Sequence, residues 1–128
     1  MEDNTKFYHL DHKTICVITS IGTGQKFYGE ADWDGTGTFS EAIGENIAEK
    51  RAIIEMLRYL RESSRDSERV FRIMLTDMQQ SKKYNAKSYE AKNIRRAYWE
   101  AKDARKTFNE MIKEEKKGLQ KYIKVRCK

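Results

Sequence analysis

The chain has 128 residues, enough to close one core, and 38% of them are hydrophobic against 36% charged, which leaves little apolar material for a large internal catalytic cavity. No stretch approaches the roughly 20 apolar residues of a bilayer span, and Met1-Glu2-Asp3-Asn4 lacks a basic, apolar leader, so membrane insertion and secretion are disfavoured and a cytoplasmic protein is expected. Two cysteines are too few for a disulfide scaffold or a structural zinc site, and the absence of proline leaves long helices unobstructed.

Charge is unevenly placed. Residues 1–37 carry a net −3, residues 38–65 are neutral, residues 66–86 carry +1 and residues 87–128 carry +8. An excess loaded onto the last third suits a surface that attracts an anionic partner, whether nucleic acid, nucleotide or acidic protein; a solvated, lysine-decorated helix face is the plain alternative.

In chain order, residues 1–12 are polar and read as an N-terminal arm, with a short strand conceivable at Lys6 to Leu10. The β-branched run Thr14 to Ile21, the turn residues Gly22-Thr23-Gly24-Gln25 and the alternation of Phe27, Gly29, Ala31 and Trp33 with Tyr28, Glu30, Asp32 and Asp34 predict an antiparallel β-hairpin over 13–36, apolar on one face. Thr38-Phe39-Ser40-Glu41 matches a capping box and opens helix one over 38–62, whose apolar face is expected to cover the hairpin. Ser63-Ser64-Arg65-Asp66 breaks the pattern, and Val70, Phe71, Met74, Leu75 and Met78 mark a second helix over 66–82.

After the connector Tyr84-Asn85-Ala86, a long helix three is predicted over 87–125. Its seam reads Ile94, Tyr98, Ala101, Arg105, Phe108, Ile112, Glu115, Leu119, Tyr122 in steps of three and four, like a coiled coil with two polar interruptions. Unbroken over about 36 residues it would measure ~54 Å, which calls for a second subunit along the seam unless Gly118 ends it early. The expected fold is therefore α+β: one domain, an N-terminal hairpin packed by a helix, then two further helices.

Few motifs carry chemistry. Asp32 to Ser40 follows the start of a calcium-binding EF loop, but Ile43 stands where the bidentate Glu belongs, so a strand-to-helix turn is the better reading. Gly22-Thr23-Gly24 and Gly35-Thr36-Gly37 do not continue into phosphate-binding motifs. His9-x-x-His12 has no third ligand nearby, and no Ser/His/Asp or Cys/His set can be assembled, so a binding protein without cofactor or metal is favoured over an enzyme. The informative stretch is Lys82 to Trp99, where basic groups, aromatic rings and Asn85 interleave at a helix start. That combination can stack a base, pair its edge and neutralise phosphate; Tyr98 and Trp99 packed as core residues are the alternative.

Phe27-Tyr28-Gly29-Glu30-Ala31, Thr38 to Ala52 and Tyr84 to Glu90 with Arg95-Arg96 resemble the type 1 Thoeris anti-defence proteins of phages, in pattern across roughly residues 13 to 125. The resemblance implies a non-enzymatic sponge in the host cytoplasm. It would sequester a cyclic ADP-ribose signal, or in some members a cyclic oligonucleotide, using arginines, an aromatic ring and an asparagine where protomers of a homo-oligomer meet. On chemistry, the candidates here are Arg58 and Arg61 near the end of helix one, Tyr84, Asn85 and Ser88 at the connector, and Arg95, Arg96 and Tyr98 on helix three: guanidinium forks for a diphosphate, tyrosines for an adenine. A small nucleic-acid-binding module is the alternative, and an adaptor whose long helix docks a host protein is a third.

Overall fold

The computed structural model describes residues 4–32 and 40–126. The protein is α+β: three antiparallel strands, β1 (Asn4–Leu10), β2 (Lys13–Thr19) and β3 (Lys26–Asp32), precede two helices, α1 (Glu41–Gln79) and α2 (Tyr89–Arg126). The EF-like stretch from Trp33 onward, the Gly35-Thr36-Gly37 turn and Thr38 of the capping box lie outside the described residues. The chain divides into two compact units, Met1–Leu57 with Met111–Lys128, and Arg58–Glu110.

In the first unit the sheet order is β1-β2-β3. The alternation read along β3 holds, and β2 shares it: Thr14, Cys16 and Ile18 are buried opposite Ala31, Gly29 and Phe27. Ile47, Ala48, Ala52 and Ile54 of α1 and Leu119 of α2 complete the core, each large aliphatic contributing roughly 1.5–3 kcal/mol by leaving water. Three small residues decide how closely the layers meet. A Cβ at Gly29 would land against the carbonyl oxygen of Ala48 and the amide nitrogen of Ala52, so α1 lies on the backbone of β3. Arg51 fixes the same contact by donating to the Glu30 carbonyl at 2.6 Å, and Asn46 donates to the Tyr122 hydroxyl at 3.0 Å.

Two expectations change here. The N-terminal segment read as an arm with a short strand conceivable at Lys6 to Leu10 holds a longer strand, paired with β2 from Asn4↔Thr19 to Leu10↔Lys13. The β1–β2 turn is tight, with His12 at φ 59° in the left-handed region. His9, considered as half of a metal pair, instead bonds Glu45 at 3.0 Å and Thr14 at 3.4 Å. Among the described residues no three His, Cys, Asp or Glu side chains gather around a common point. Helix one and helix two are one continuous α1, because Ser63-Ser64-Arg65-Asp66 holds no glycine or proline and Glu62 accepts from Arg61 and Arg65 along its wet side. Ser40 caps α1, its hydroxyl accepting from the Ile43 amide at 3.2 Å.

Gly118 does not end α2, which runs to Arg126. The seam predicted to need a second subunit is spent at its far end on the chain's own core, with Ile112 and Leu119 buried and Tyr122 packed against it. Among the described residues no helix is long and apolar enough to cross a membrane.

Candidate functional site

The second unit is a helical hairpin. Residues 58–79 of α1 and 89–110 of α2 lie side by side: Arg61 donates to Asn109 at 3.2 Å, and Arg105 grips Glu68 through two nitrogens at 2.6 and 3.4 Å. A connector of residues 80–88 joins them.

The connector candidates stand together, but much of their bonding is structural. Ser88 is the N-cap of α2, its hydroxyl accepting from the Ala91 amide at 3.2 Å. Asn85 accepts from the Lys87 amide at 3.0 Å through its side chain and from the Ser88 amide at 3.0 Å through its carbonyl. Arg95 reaches back to the Tyr84 hydroxyl at 3.3 Å and to the Ala86 carbonyl, so one guanidinium holds the turn against the first turns of the helix. Ser88→Ala should therefore lower stability by about 1 kcal/mol, the cost of an N-cap, seen as a lower midpoint of thermal unfolding with nucleotide affinity changed less than about twofold.

Arg58 and Arg61 do not join this group. Arg61 is held by Glu62 and Asn109, Arg58 is half-buried and engaged in its own contacts, and some 27 Å of helix separates Arg61 from the end of α1. Arg96 is exposed. Tyr98 is half-buried and meets Trp99 edge to face, with centroids 5.5 Å apart and planes at 71°.

Around Tyr98 lies a cluster that the sequence alone did not single out. Glu68, its side chain 14% exposed, is bonded to Arg105, and Lys102 and Arg72 act on the same carboxylate. The Arg105 hydrogen bond, opposed by partial burial and aided by the charges of Arg105, Lys102 and Arg72, holds the Glu68 carboxyl below its ordinary value. The same bond raises Arg105. Three cations around one carboxylate leave two positive charges in excess. Lys102 also lies over two rings, 4.8 Å from the Trp99 centroid and 5.9 Å from that of Tyr98, a cation–π arrangement.

Arg95, Tyr98, Trp99, Lys102 and Arg105 thus form one strip along α2, about 15 Å long, with alternating guanidinium, ring and ammonium groups. Such a strip can neutralise a phosphate and stack a base in the same ligand. The available signal was the recurrence of these residues at three and four along the helix; the contribution of α1, through Glu68 and Arg72, carried none. No protein-family model, no curated protein and no solved structure matches the chain.

Proposed function

We propose that the chain binds a cyclic ADP-ribose-type nucleotide signal, with a cyclic oligonucleotide as a related ligand, and sequesters it in the host cytoplasm without degrading it, acting as a phage anti-defence protein of the type 1 Thoeris kind. The observation that carries this reading is the excess of cations around Glu68, set beside the Tyr98 and Trp99 rings. A diphosphate meets Arg72, Lys102 and Arg105, and an adenine stacks on the half-exposed Trp99. The Arg105 hydrogen bond holds the Glu68 carboxyl below its ordinary value, so it stands among these cations as an acceptor. Calorimetry with cyclic ADP-ribose isomers tests the proposal, together with chromatography of the ligand recovered after denaturation. Saturable binding with intact ligand is expected; no binding to any isomer, or recovery of a product, would end it.

One feature favours a second reading. Tyr89, 81% exposed, and Trp99, 54% exposed, stand on the outer side of α2 with the exposed Lys92, Arg96 and Lys106, an interleaving suited to a single-stranded polymer. Affinity for an oligonucleotide that falls steeply with salt, without affinity for small nucleotides, would favour that module instead.

A further inference from the structure

The tripeptide Lys-Phe-Tyr occurs twice in the chain, at residues 6–8 and 26–28. The first copy lies in β1 and the second in β3, the two edge strands of the sheet. Side chains alternate between the faces of a strand, so in each copy the phenylalanine turns toward the core and the lysine and tyrosine turn to the opposite face. Phe7 packs against the core and Phe27 is buried, whereas Tyr8 and Tyr28 are 50% and 56% exposed. Among the described residues neither Lys6 nor Lys26 enters an ion pair.

The pairing register fixes how the two copies stand to one another. Strands β1 and β3 are each antiparallel to β2 and so run in the same direction, with Lys6 and Tyr28 both opposite Val17. One copy is therefore the other shifted by two strands and two residues, a translation of ~12 Å with only the twist of the sheet added. Ile15 and Val17, half-buried, form an apolar floor between them. The carboxylates of Glu30 and Asp32, which follow Tyr28 along β3 on the same face, are bridged by Lys13 at 3.4 and 3.7 Å. Lys6 and Lys26 are left uncompensated.

We propose that this open sheet face binds single-stranded nucleic acid, each Lys-Phe-Tyr copy taking a phosphate on its lysine and a base on its tyrosine. A ligand that matches two copies related by translation must itself have direction and repeat an anion with a flat ring. A nucleotide polymer does so; an acidic peptide brings the charge without the ring, and a lipid surface has neither direction nor period. The ~12 Å step is more than three times the ~3.4 Å rise between stacked bases along a duplex strand. The rings therefore take bases of an unstacked strand, as aromatic side chains on other antiparallel sheets do. The inference goes beyond the sequestering of a cyclic nucleotide and does not rest on it, because no residue of the strip on α2 takes part.

The test is fluorescence anisotropy of the whole chain with labelled oligouridine and oligothymidine, single-stranded and annealed to their complements, over a range of salt. The wild type should bind the single strands and bind the duplexes at least about tenfold more weakly. Tyr8→Ala and Tyr28→Ala should each weaken binding by about tenfold, and Tyr8→Phe and Tyr28→Phe by less than about twofold, because the ring remains. Lys6→Gln and Lys26→Gln should each lower the slope of log affinity against log salt by about 0.7, the share of one phosphate on a single strand; these variants decide the matter if a tyrosine variant fails to fold by circular dichroism. Trp99→Ala should change oligonucleotide affinity less than about twofold. Absence of binding to both oligomers overturns the proposal, even if anionic vesicles are bound. Equal affinity for duplex, unchanged salt slopes in both lysine variants, or a loss confined to Trp99→Ala overturns it equally.

Discussion

Gly29→Ala should unfold much of the first unit, with a loss of about 3 kcal/mol or more, large against the 5–15 kcal/mol that holds a typical domain together. The methyl group would meet the Ala48 carbonyl oxygen and the Ala52 amide nitrogen. These are backbone atoms inside a helix, so neither can rotate away as a side chain would. The helix must lift from β3, which opens the layer where Cys16, Ile18 and Ala31 meet Ile47, Ala48 and Ile54. Urea unfolding followed by circular dichroism measures the effect as a fall in midpoint. Gly118→Ala is the matched control: nothing lies within 4 Å of a Cβ there, and inside α2 the change should raise stability by roughly 0.5–1 kcal/mol through helix propensity. Equal stability of Gly29→Ala and wild type would mean that α1 does not rest on the backbone of β3.

The close approach at Gly29 also marks where the sequence could be read and where it could not. Strand β2 was legible from its β-branched run, and β3 because Phe27, Gly29 and Ala31 repeat with the period of a half-buried sheet. Strand β1 was legible only as a short strand conceivable at Lys6 to Leu10, because Thr5, Phe7 and His9 stand opposite Ile18, Cys16 and Thr14 with only Phe7 strongly apolar and half-buried, and pairing along the edge of β2 fixes the strand more than its own burial does. The polar run Ser63 to Asp66 looked like a helix break because serine and aspartate favour caps. The helix continues because no residue there forbids it and Glu62 ties Arg61 and Arg65 along it. At the candidate site, Tyr84, Asn85, Ser88 and Arg95 were found as a local cluster, since a turn and the helix after it are neighbours in sequence. Glu68 and Arg72 were not, because their distance from Lys102 and Arg105 is set by the register of two antiparallel helices, which no local pattern encodes.

That register fixes the strongest expectation for binding. Lys102→Glu should reduce nucleotide affinity about a hundredfold, and Trp99→Ala about tenfold, with thermal midpoints of both variants within a few degrees of wild type. Lys102 is one of three cations around Glu68, and replacing it by a carboxylate cancels the excess of positive charge that a diphosphate would meet, while Arg105 keeps its bond to Glu68. Trp99→Ala removes only the stacking surface, for which a loss of roughly 1–3 kcal/mol per base is usual. Trp99 is half exposed, and neither side chain supports the core of the unit, so folding should tolerate both changes. Arg61→Ala is the contrasting variant: its guanidinium is engaged by Glu62 and Asn109 far from the connector, and its loss should leave affinity within about threefold of wild type. Calorimetry at fixed ionic strength ranks the three. If Arg61→Ala is the damaging change and Lys102→Glu binds as wild type does, the ligand lies at the other end of the hairpin and the cluster around Glu68 only ties the two helices together.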